Sequence, residues 1–260
     1  MEQNALYALG LTLIAGAATG VGAIAALFAK KENTKVLAAS LGFSAGVMIF
    51  VSMVEIFSKA RNYISASVGD KTGYLYAVIA FFAGVVIICA IDWLVPSAEG
   101  DIGNLTSNRS ESLSRMGIFM ALALGIHNFP EGMVTFTSAL KDSSLGVAVC
   151  FAIAIHNIPE GIATAVPIFY SGGRRGKAFL ISLLSGLAEP VGALIGYLIL
   201  RPFLNDMVFG SLFAGIAGVM VFISIEELLP MARMYDKGKI TIIGFVCGMA
   251  VMAVSLFLLA

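Results

Sequence analysis

Eight stretches of about 20 or more mainly apolar residues follow one another along this chain of 260 residues, separated by charged residues and turn formers. A helix of that length crosses the hydrocarbon core of a bilayer and satisfies its own backbone hydrogen bonds, which a lipid-exposed loop cannot do. The sequence therefore predicts an all-α polytopic membrane protein with eight transmembrane helices, called spans 1 to 8 in chain order. They cover approximately residues 5–29, 36–58, 73–95, 116–140, 145–170, 177–200, 206–231 and 240–259.

The composition supports a membrane protein and excludes several other classes. Charged residues make up 12% of the chain, about half the usual share, and the mean hydropathy is +0.94. Lys plus Arg and Asp plus Glu balance at 16 each, which gives no reason to expect a nucleic-acid partner. The three cysteines are too few and too far apart for a disulfide framework or a thiolate zinc cluster. We expect a single transmembrane domain over residues 1–260, surrounded by the lipid bilayer.

The Lys and Arg residues are distributed unevenly between the two sides of the membrane. Eleven of the 16 lie in the connections that follow spans 1, 3, 5 and 7. Because cytoplasmic connections carry the excess of positive charge, both termini are predicted to lie on the outer side. The longest connection, residues 97–115, is rich in Ser, Asn and Gly and is expected to be a cytoplasmic loop.

Three internal repeats can be identified in the sequence. GVMIFVSMVEIF, which starts at Gly46, matches GVMVFISIEELL, which starts at Gly218, and AGAATGVGA from Ala15 is echoed by SGLAEPVGA from Ser185. HNFPEG in span 4 matches HNIPEG in span 5. The first two offsets, 172 and 170 residues, are nearly equal, so spans 1 and 2 are duplicated as spans 6 and 7. Partner spans lie an odd number of spans apart, which predicts inverted repeats in a 3+2+3 arrangement, with a substrate site near the midplane.

Acidic residues are unusually frequent inside the predicted spans. Seven of the 16 lie within spans or at their ends, whereas nearly all Lys and Arg residues lie in connections. A lone ionised group at membrane depth costs roughly 3 kcal/mol on insertion scales. Protonation, a hydrated cavity or a bound cation must therefore compensate for these charges. The seven residues are Glu55, Asp92, Glu131, Glu160, Glu189, Glu226 and Glu227.

Spans 4 and 5 each carry His, Asn and Glu at positions i, i+1 and i+4, which places the His and the Glu on one helix face. Imidazole together with carboxylate and amide oxygens suits a divalent transition metal. A proline precedes each Glu and frees a backbone carbonyl, which predicts a kink beside the site. Helix packing is the alternative role for the two histidines, and the duplication of the whole motif disfavours it. The candidate ligands are His127, Asn128 and Glu131, then His156, Asn157 and Glu160, with Glu189 of span 6 as a further ligand.

With these paired motifs the chain resembles the ZIP (Zrt-, Irt-like protein) family of divalent-metal transporters, and among its branches the bacterial ZupT type. The resemblance covers essentially the whole chain and implies a 3+2+3 helix bundle with a metal site that can be binuclear. Many members carry a histidine-rich loop after span 3, and this chain has no His there. The resemblance implies one metal position formed by His127, Glu131, His156 and Glu160, and a second formed by Asn128, Asn157 and Glu189, with Glu131 and Glu160 bridging.

The resemblance also implies a function, namely uptake of Zn(II), with Fe(II), Mn(II), Co(II) and Cd(II) as further substrates, across the bacterial inner membrane into the cytoplasm. The ions are cargo, so no cofactor is expected. Some members place a methionine ligand near the position of Met48. Three glutamates at the ends of spans 2 and 7 are either vestibule carboxylates that attract cations or relay protons, or solvated helix ends, and these are Glu55, Glu226 and Glu227. The residues alone leave the direction of transport open, and a homodimer is one option for the assembly.

An intramembrane metalloenzyme and a purely structural metal site are the alternatives to a transporter. A catalytic zinc site needs an open coordination position and a separate base. The chain has no HExxH motif and no nucleophilic Ser beside a His. The duplicated spans favour a secondary transporter over both alternatives.

Overall fold

The computed structural model describes residues 2–28, 34–94, 109–170, 174–200, 205–236 and 238–259, which are almost entirely helical, with no strand among them. This confirms the predicted all-α class. Span 6 consists of two helices, and each of the other spans is one continuous helical stretch. In chain order the spans are Glu2–Phe28, Thr34–Val68, Asp70–Leu94, Arg109–Lys141, Ser143–Tyr170, Arg175–Gly186 with Ala188–Leu200, Asp206–Tyr235, and Ile240–Leu259.

Seven of the described spans are long and apolar enough to cross a membrane. Span 4 is not among the seven, although its helix has 33 residues. This helix begins at Arg109, inside the predicted 97–115 loop. The remainder of that loop, residues 97–108, lies outside the described residues, as do the side chains of Asp92 and His127.

The helices pack in two groups of four. Span 1 packs against spans 4, 5 and 6, which also pack against one another, whereas span 2 packs against spans 3, 7 and 8, and span 3 against span 7. Contact between the two groups is made mainly by span 2 with span 5. The helices of the two predicted repeats therefore intermix, because spans 2 and 3 pair with spans 8 and 7 of the other repeat.

Equivalent residues of the repeats make equivalent close contacts. A Cβ on Gly22 in span 1 would collide with the carbonyl oxygen of Ile158 in span 5, and a Cβ on Gly192 in span 6 would collide with that of Phe129 in span 4. Gly192 follows Gly22 by 170 positions, and Ile158 follows Phe129 by 29, which are the offsets of the sequence repeats. The backbones of spans 1 and 5 thus approach each other as closely as those of spans 6 and 4, through small residues at the crossing.

Two further glycine contacts relate a third pair of spans, span 3 and span 8. Gly46 of span 2 lies against the carbonyl of Phe245 in span 8, and Gly218 of span 7 lies against the carbonyl of Phe81 in span 3. Phe81 and Phe245 are 164 positions apart, so span 3 corresponds to span 8. The predicted repeats of three spans imply this pairing, although the sequence matches themselves cover only spans 1 and 2 with spans 6 and 7.

The GVM repeat adopts the same unusual backbone twice. Val51–Ile56 in span 2 and Ser224–Leu228 in span 7 form π-helical turns, each within an otherwise α-helical span. Ser52 Oγ donates to the Met48 carbonyl at 2.6 Å, and Ser224 Oγ donates to the Met220 carbonyl at 2.7 Å. A π turn adds a residue to a helix and is frequently found near functional sites.

The acidic residues of these turns lie outside the buried core. Glu55 forms an ion pair with Lys59 one turn away. Glu226 is exposed, and Glu227 is half-buried. These three glutamates are therefore at least partly exposed at the protein surface, unlike Glu131, Glu160 and Glu189.

Spans 4 and 5 continue through their prolines, whereas span 6 is interrupted shortly before Pro190. Pro130 and Pro159 lie inside helices that continue through them without interruption. Span 6 is interrupted at Leu187, whose N–H donates to the Leu183 carbonyl at 2.9 Å, and a new helix begins at Ala188. Glu189 consequently lies in the first turn of a half-helix, where the helix dipole favours a negative charge.

Candidate metal site

The candidate ligands of spans 4 and 5 meet in the interior of the protein. His156 Nε2 lies 3.0 Å from Glu131 Oε1 and 3.1 Å from Glu131 Oε2. The relative exposure of these residues is 0% and 1%. Within each motif the His and the Glu lie one helical turn apart. The packing of span 4 on span 5 then brings the imidazole of the span 5 motif against the carboxylate of the span 4 motif.

Span 6 contributes the third element of the site. The side-chain amide of Asn157 donates to Glu189 Oε1 and, at 2.9 Å, to the carbonyl oxygen of Ala15 in span 1. Asn157 and Glu189 are both fully buried. One amide thus connects spans 1, 5 and 6 and holds the Glu189 carboxylate against span 5.

Asn128 makes the equivalent contact in the other half of the site. Its side-chain amide donates to the carbonyl of Ser185 in span 6 at 3.1 Å, and Ser185 follows Ala15 by 170 positions. Asn128 of span 4 therefore bonds to span 6, and Asn157 of span 5 bonds to the equivalent carbonyl of span 1. Sequence reasoning identified both amides but not their acceptors, because a backbone carbonyl leaves no trace in the amino-acid sequence.

Glu160 is the remaining candidate carboxylate with a described side chain. It is fully buried in span 5, one turn after His156, and its backbone carbonyl accepts a hydrogen bond from Thr164 at 2.8 Å. Thr164 Oγ1 also lies 2.9 Å from Ser182 Oγ of span 6, which in turn donates to the Gly161 carbonyl at 3.1 Å. This hydroxyl pair joins spans 5 and 6 directly beside Glu160, and the sequence motifs gave no indication of it.

Two further residues complete the account of the predicted ligands. The side chain of His127 lies outside the described part of the structure, so its position relative to the other ligands stays a prediction. Met48 of span 2 is fully buried.

Among the described side chains, no three from His, Cys, Asp and Glu are close enough together to be identified as a metal site by geometry alone. The described cluster consists of pairs, with amide groups between them.

Electrostatics distinguish this cluster from the rest of the protein. Glu131, Glu160 and Glu189 are the acidic side chains buried among the described residues, and no described Lys or Arg side chain is buried. Burial of several carboxylates in one place is costly for their ionised forms, and a divalent cation reduces that cost. Imidazole, carboxylate and amide donors together suit a divalent transition metal and leave out the thiolates of structural zinc sites.

Comparisons with known proteins give a consistent result. The sequence model of the family described as ZIP Zinc transporter matches residues 101–256. The chain is 54% identical over 268 aligned residues to the zinc transporter ZupT of Lysinibacillus sphaericus, with 100% of both chains covered. It is 55% identical to the zinc transporter ZupT of Oceanobacillus iheyensis, and the alignment covers 99% of this chain and 100% of that protein. The identity to the Streptococcus mutans zinc transporter ZupT is 48%, with 99% of each chain covered.

Proposed function

This chain belongs to the ZIP family of zinc transporters, in its bacterial ZupT branch, and on that premise we propose that it takes up divalent transition-metal ions into the cytoplasm through the buried site of spans 4, 5 and 6. Zinc is the first substrate, and Fe(II), Mn(II), Co(II) and Cd(II) are further substrates. Membership of a transporter family also decides against the alternative of an intramembrane metalloenzyme.

The observation that carries this proposal is the contact between His156 and Glu131. It joins an imidazole nitrogen and a carboxylate from two different helices at 3.0 Å in the interior of a membrane protein. Glu160 of span 5 and Glu189 of span 6 are also fully buried. These donors bind a divalent ion without a thiolate, so they can also release it, as transport requires.

We propose that the site holds two ions at neighbouring positions. The bonds of Asn157 to Glu189 and of Asn128 to Ser185 support an oxygen-rich position beside the His156 and Glu131 position. The bridging carboxylates would lower the repulsion between two cations. The first position uses His127, Glu131, His156 and Glu160, and the second uses Asn128, Asn157 and Glu189, with Glu131 and Glu160 shared.

The two helix groups suggest how the site reaches both sides of the membrane. All proposed ligands lie on spans 4, 5 and 6, within the group that also contains span 1. We propose that this group moves as a unit against spans 2, 3, 7 and 8, and that the 3+2+3 inverted arrangement relates the outward and inward states. Span 2 against span 5 is the main contact that must slide.

The proposed direction requires a bacterial cytoplasmic membrane with both termini outside. Single cysteines placed near residue 4 and near residue 174, in a variant without Cys89, Cys150 and Cys247, test this orientation. A membrane-impermeant maleimide should label the first site in intact cells and the second only after permeabilisation. The reverse pattern would contradict the orientation and leave the metal site untouched.

The central experiment measures zinc uptake by the purified full chain in liposomes. Uptake should be saturable, and Glu160→Ala should abolish it while the protein remains in the membrane. Asp70→Asn is the matched control, because Asp70 is an exposed carboxylate at the start of span 3. Normal uptake by Glu160→Ala would contradict the proposed site.

A further inference from the structure

The hydroxyl of Thr19 in span 1 is an exception among the buried threonines. Thr19 is fully buried, and its Oγ1 has no hydrogen-bond partner among the described residues. A buried hydroxyl that makes no hydrogen bond is costly, so most such groups face a polar partner. The other buried threonines of the described structure donate to backbone carbonyls, and these are Thr12, Thr135, Thr164 and Thr241.

The amide of Asn157 explains the different behaviour of Thr19. A threonine inside a helix ordinarily donates to the carbonyl four residues before it. For Thr19 that carbonyl belongs to Ala15, and it accepts a hydrogen bond from Asn157 Nδ2 at 2.9 Å instead. The hydroxyl is directed toward span 6, because Thr19 Oγ1 lies 2.6 Å from the place where a Cβ of Gly186 would stand. The side chain of Thr19 occupies this space, so any side chain at position 186 would collide with it.

The internal repeat relates the contact between Thr19 and Gly186 to a contact of Glu189. Thr19 corresponds to Glu189, the carboxylate proposed as a metal ligand in span 6. Gly186 faces the side chain of Thr19 as Gly16 faces the side chain of Glu189, with Glu189 Cβ 3.5 Å from where a Cβ of Gly16 would stand. Asn157 donates to Glu189, so the repeat places Thr19 on the matching side of Asn128.

Asn128 presents a second oxygen in the same half of the site. Its Nδ2 is used by the Ser185 carbonyl, whereas its Oδ1 is buried and has no hydrogen-bond partner among the described residues. Both Oγ1 of Thr19 and Oδ1 of Asn128 can offer lone pairs to a cation or to a water bound to it. This half of the site therefore contains two buried oxygens without a hydrogen-bond partner among the described residues.

We propose that Thr19 is a further oxygen ligand of the transported ion, opposite Glu189 and next to Asn128, an inference that rests on the proposed function. Where the repeat would place a second carboxylate, the chain has a neutral hydroxyl. The site therefore carries one negative charge fewer than a symmetric site, so it binds the ion less tightly and releases it faster. Thr19 thereby sets the balance between affinity and turnover.

The test compares Thr19→Val with Thr19→Ser in the full chain. Valine keeps the volume and the β-branch of threonine but removes the hydroxyl, whereas serine keeps the hydroxyl. We expect Thr19→Val to raise the half-saturating Zn(II) concentration for uptake about tenfold, the lower end of losses seen when metal-site partners are removed. Thr19→Ser should remain close to the unaltered protein. Thr12→Val is the control, because Thr12 lies on the same helix and its hydroxyl is satisfied by the Ala8 carbonyl at 2.9 Å.

A second variant separates ligation from packing. Thr19→Glu makes the two halves of the site alike, because Glu189 stands at the corresponding position of span 6. It should lower the half-saturating Zn(II) concentration and also lower the maximal rate, a split that a packing defect would not produce. Equilibrium binding of Zn(II) to the purified variants in detergent should follow the same order.

The outcomes distinguish this inference from the proposed function. If the unaltered protein takes up zinc, Glu160→Ala does not, and Thr19→Val matches Thr12→Val in half-saturation, then Thr19 is not a ligand and the proposed function stands. If the unaltered protein neither binds nor transports Zn(II), the proposed function fails first. Equal defects in Thr19→Val and Thr19→Ser would indicate a packing role and would also overturn the inference.

Discussion

Gly16 and Gly186 each place a backbone carbonyl oxygen where the other residue would carry a Cβ. The contact is reciprocal, and the two residues are 170 positions apart, the offset of the repeat. Spans 1 and 6 therefore cross at the point that relates the two halves of the protein. The proposed metal site surrounds this crossing, because Asn157 bonds to Ala15 on one side of it and Asn128 to Ser185 on the other.

We predict that Gly16→Ala and Gly186→Ala each destabilise the protein. The added Cβ meets a backbone oxygen, which cannot move aside like the end of a flexible side chain, and overpacking of this kind typically costs about 1 to 3 kcal/mol. Thermal unfolding in detergent should show a lower Tm for both variants. Gly10→Ala on span 1 is the control, because a Cβ there has no atom within 4 Å. A Tm equal to that of Gly10→Ala would refute the tight crossing.

Part of the fold could be predicted because buried contacts preserve sequence. Small residues recur at equivalent positions of spans 1 and 6, such as Gly22 and Gly192, since the close helix crossings admit nothing larger. The correspondence of span 3 with span 8 is implied by the predicted grouping of three spans in each repeat, but no similarity between their sequences indicates it. Around Phe81 and Phe245 the outward-facing positions, such as Phe82 and Val246, accept any apolar side chain, so the similarity between the two sequences has faded.

The candidate site could be predicted only to the level of residue types. Helical periodicity placed His156 and Glu160 on one face, but the pairing of His156 with Glu131 depends on how two helices pack. The proposed role of Thr19 depends on the Ala15 carbonyl being bonded to Asn157, and the contact of Ser182 depends on the neighbouring hydroxyl of Thr164. The sequence has no signature for either contact. The structure also interrupts span 6 at Leu187, three residues before Pro190.

Metal selectivity gives the second prediction. Mg(II) prefers an all-oxygen octahedral shell and loses its water reluctantly, whereas the proposed site includes imidazole nitrogens. A large excess of Mg(II) should therefore leave zinc uptake in liposomes unchanged, while Cd(II) and Co(II) compete. Mg(II) transported as readily as Zn(II) would contradict the assignment of histidine ligands.

The third prediction concerns the hydroxyl pair beside Glu160. Ser182→Ala removes both the contact with Thr164 and the hydrogen bond to the Gly161 carbonyl, which join spans 5 and 6. The free energy of unfolding should fall by about 1 kcal/mol, the usual contribution of a net hydrogen bond. The control is Ser211→Ala, whose hydroxyl bonds only within its own helix, to the Met207 carbonyl at 2.8 Å. Equal stability of the two variants would show that the pair does not hold the spans together.

The last prediction tests whether His156 and Glu131 act as one unit in binding the ion. If both contribute to a single metal position, removing either one destroys that position, and removing the second has little left to destroy. Equilibrium Zn(II) binding should fall strongly in His156→Ala and in Glu131→Ala, and the double variant should bind about as weakly as the worse single variant. Two residues that affect zinc binding independently would instead give losses that multiply. Thr12→Val combined with each single variant provides the reference for independent behaviour, because Thr12 bonds only to the Ala8 carbonyl of its own helix. Multiplying losses for His156 and Glu131 would mean that their 3.0 Å contact is a packing interaction and not part of a shared metal position.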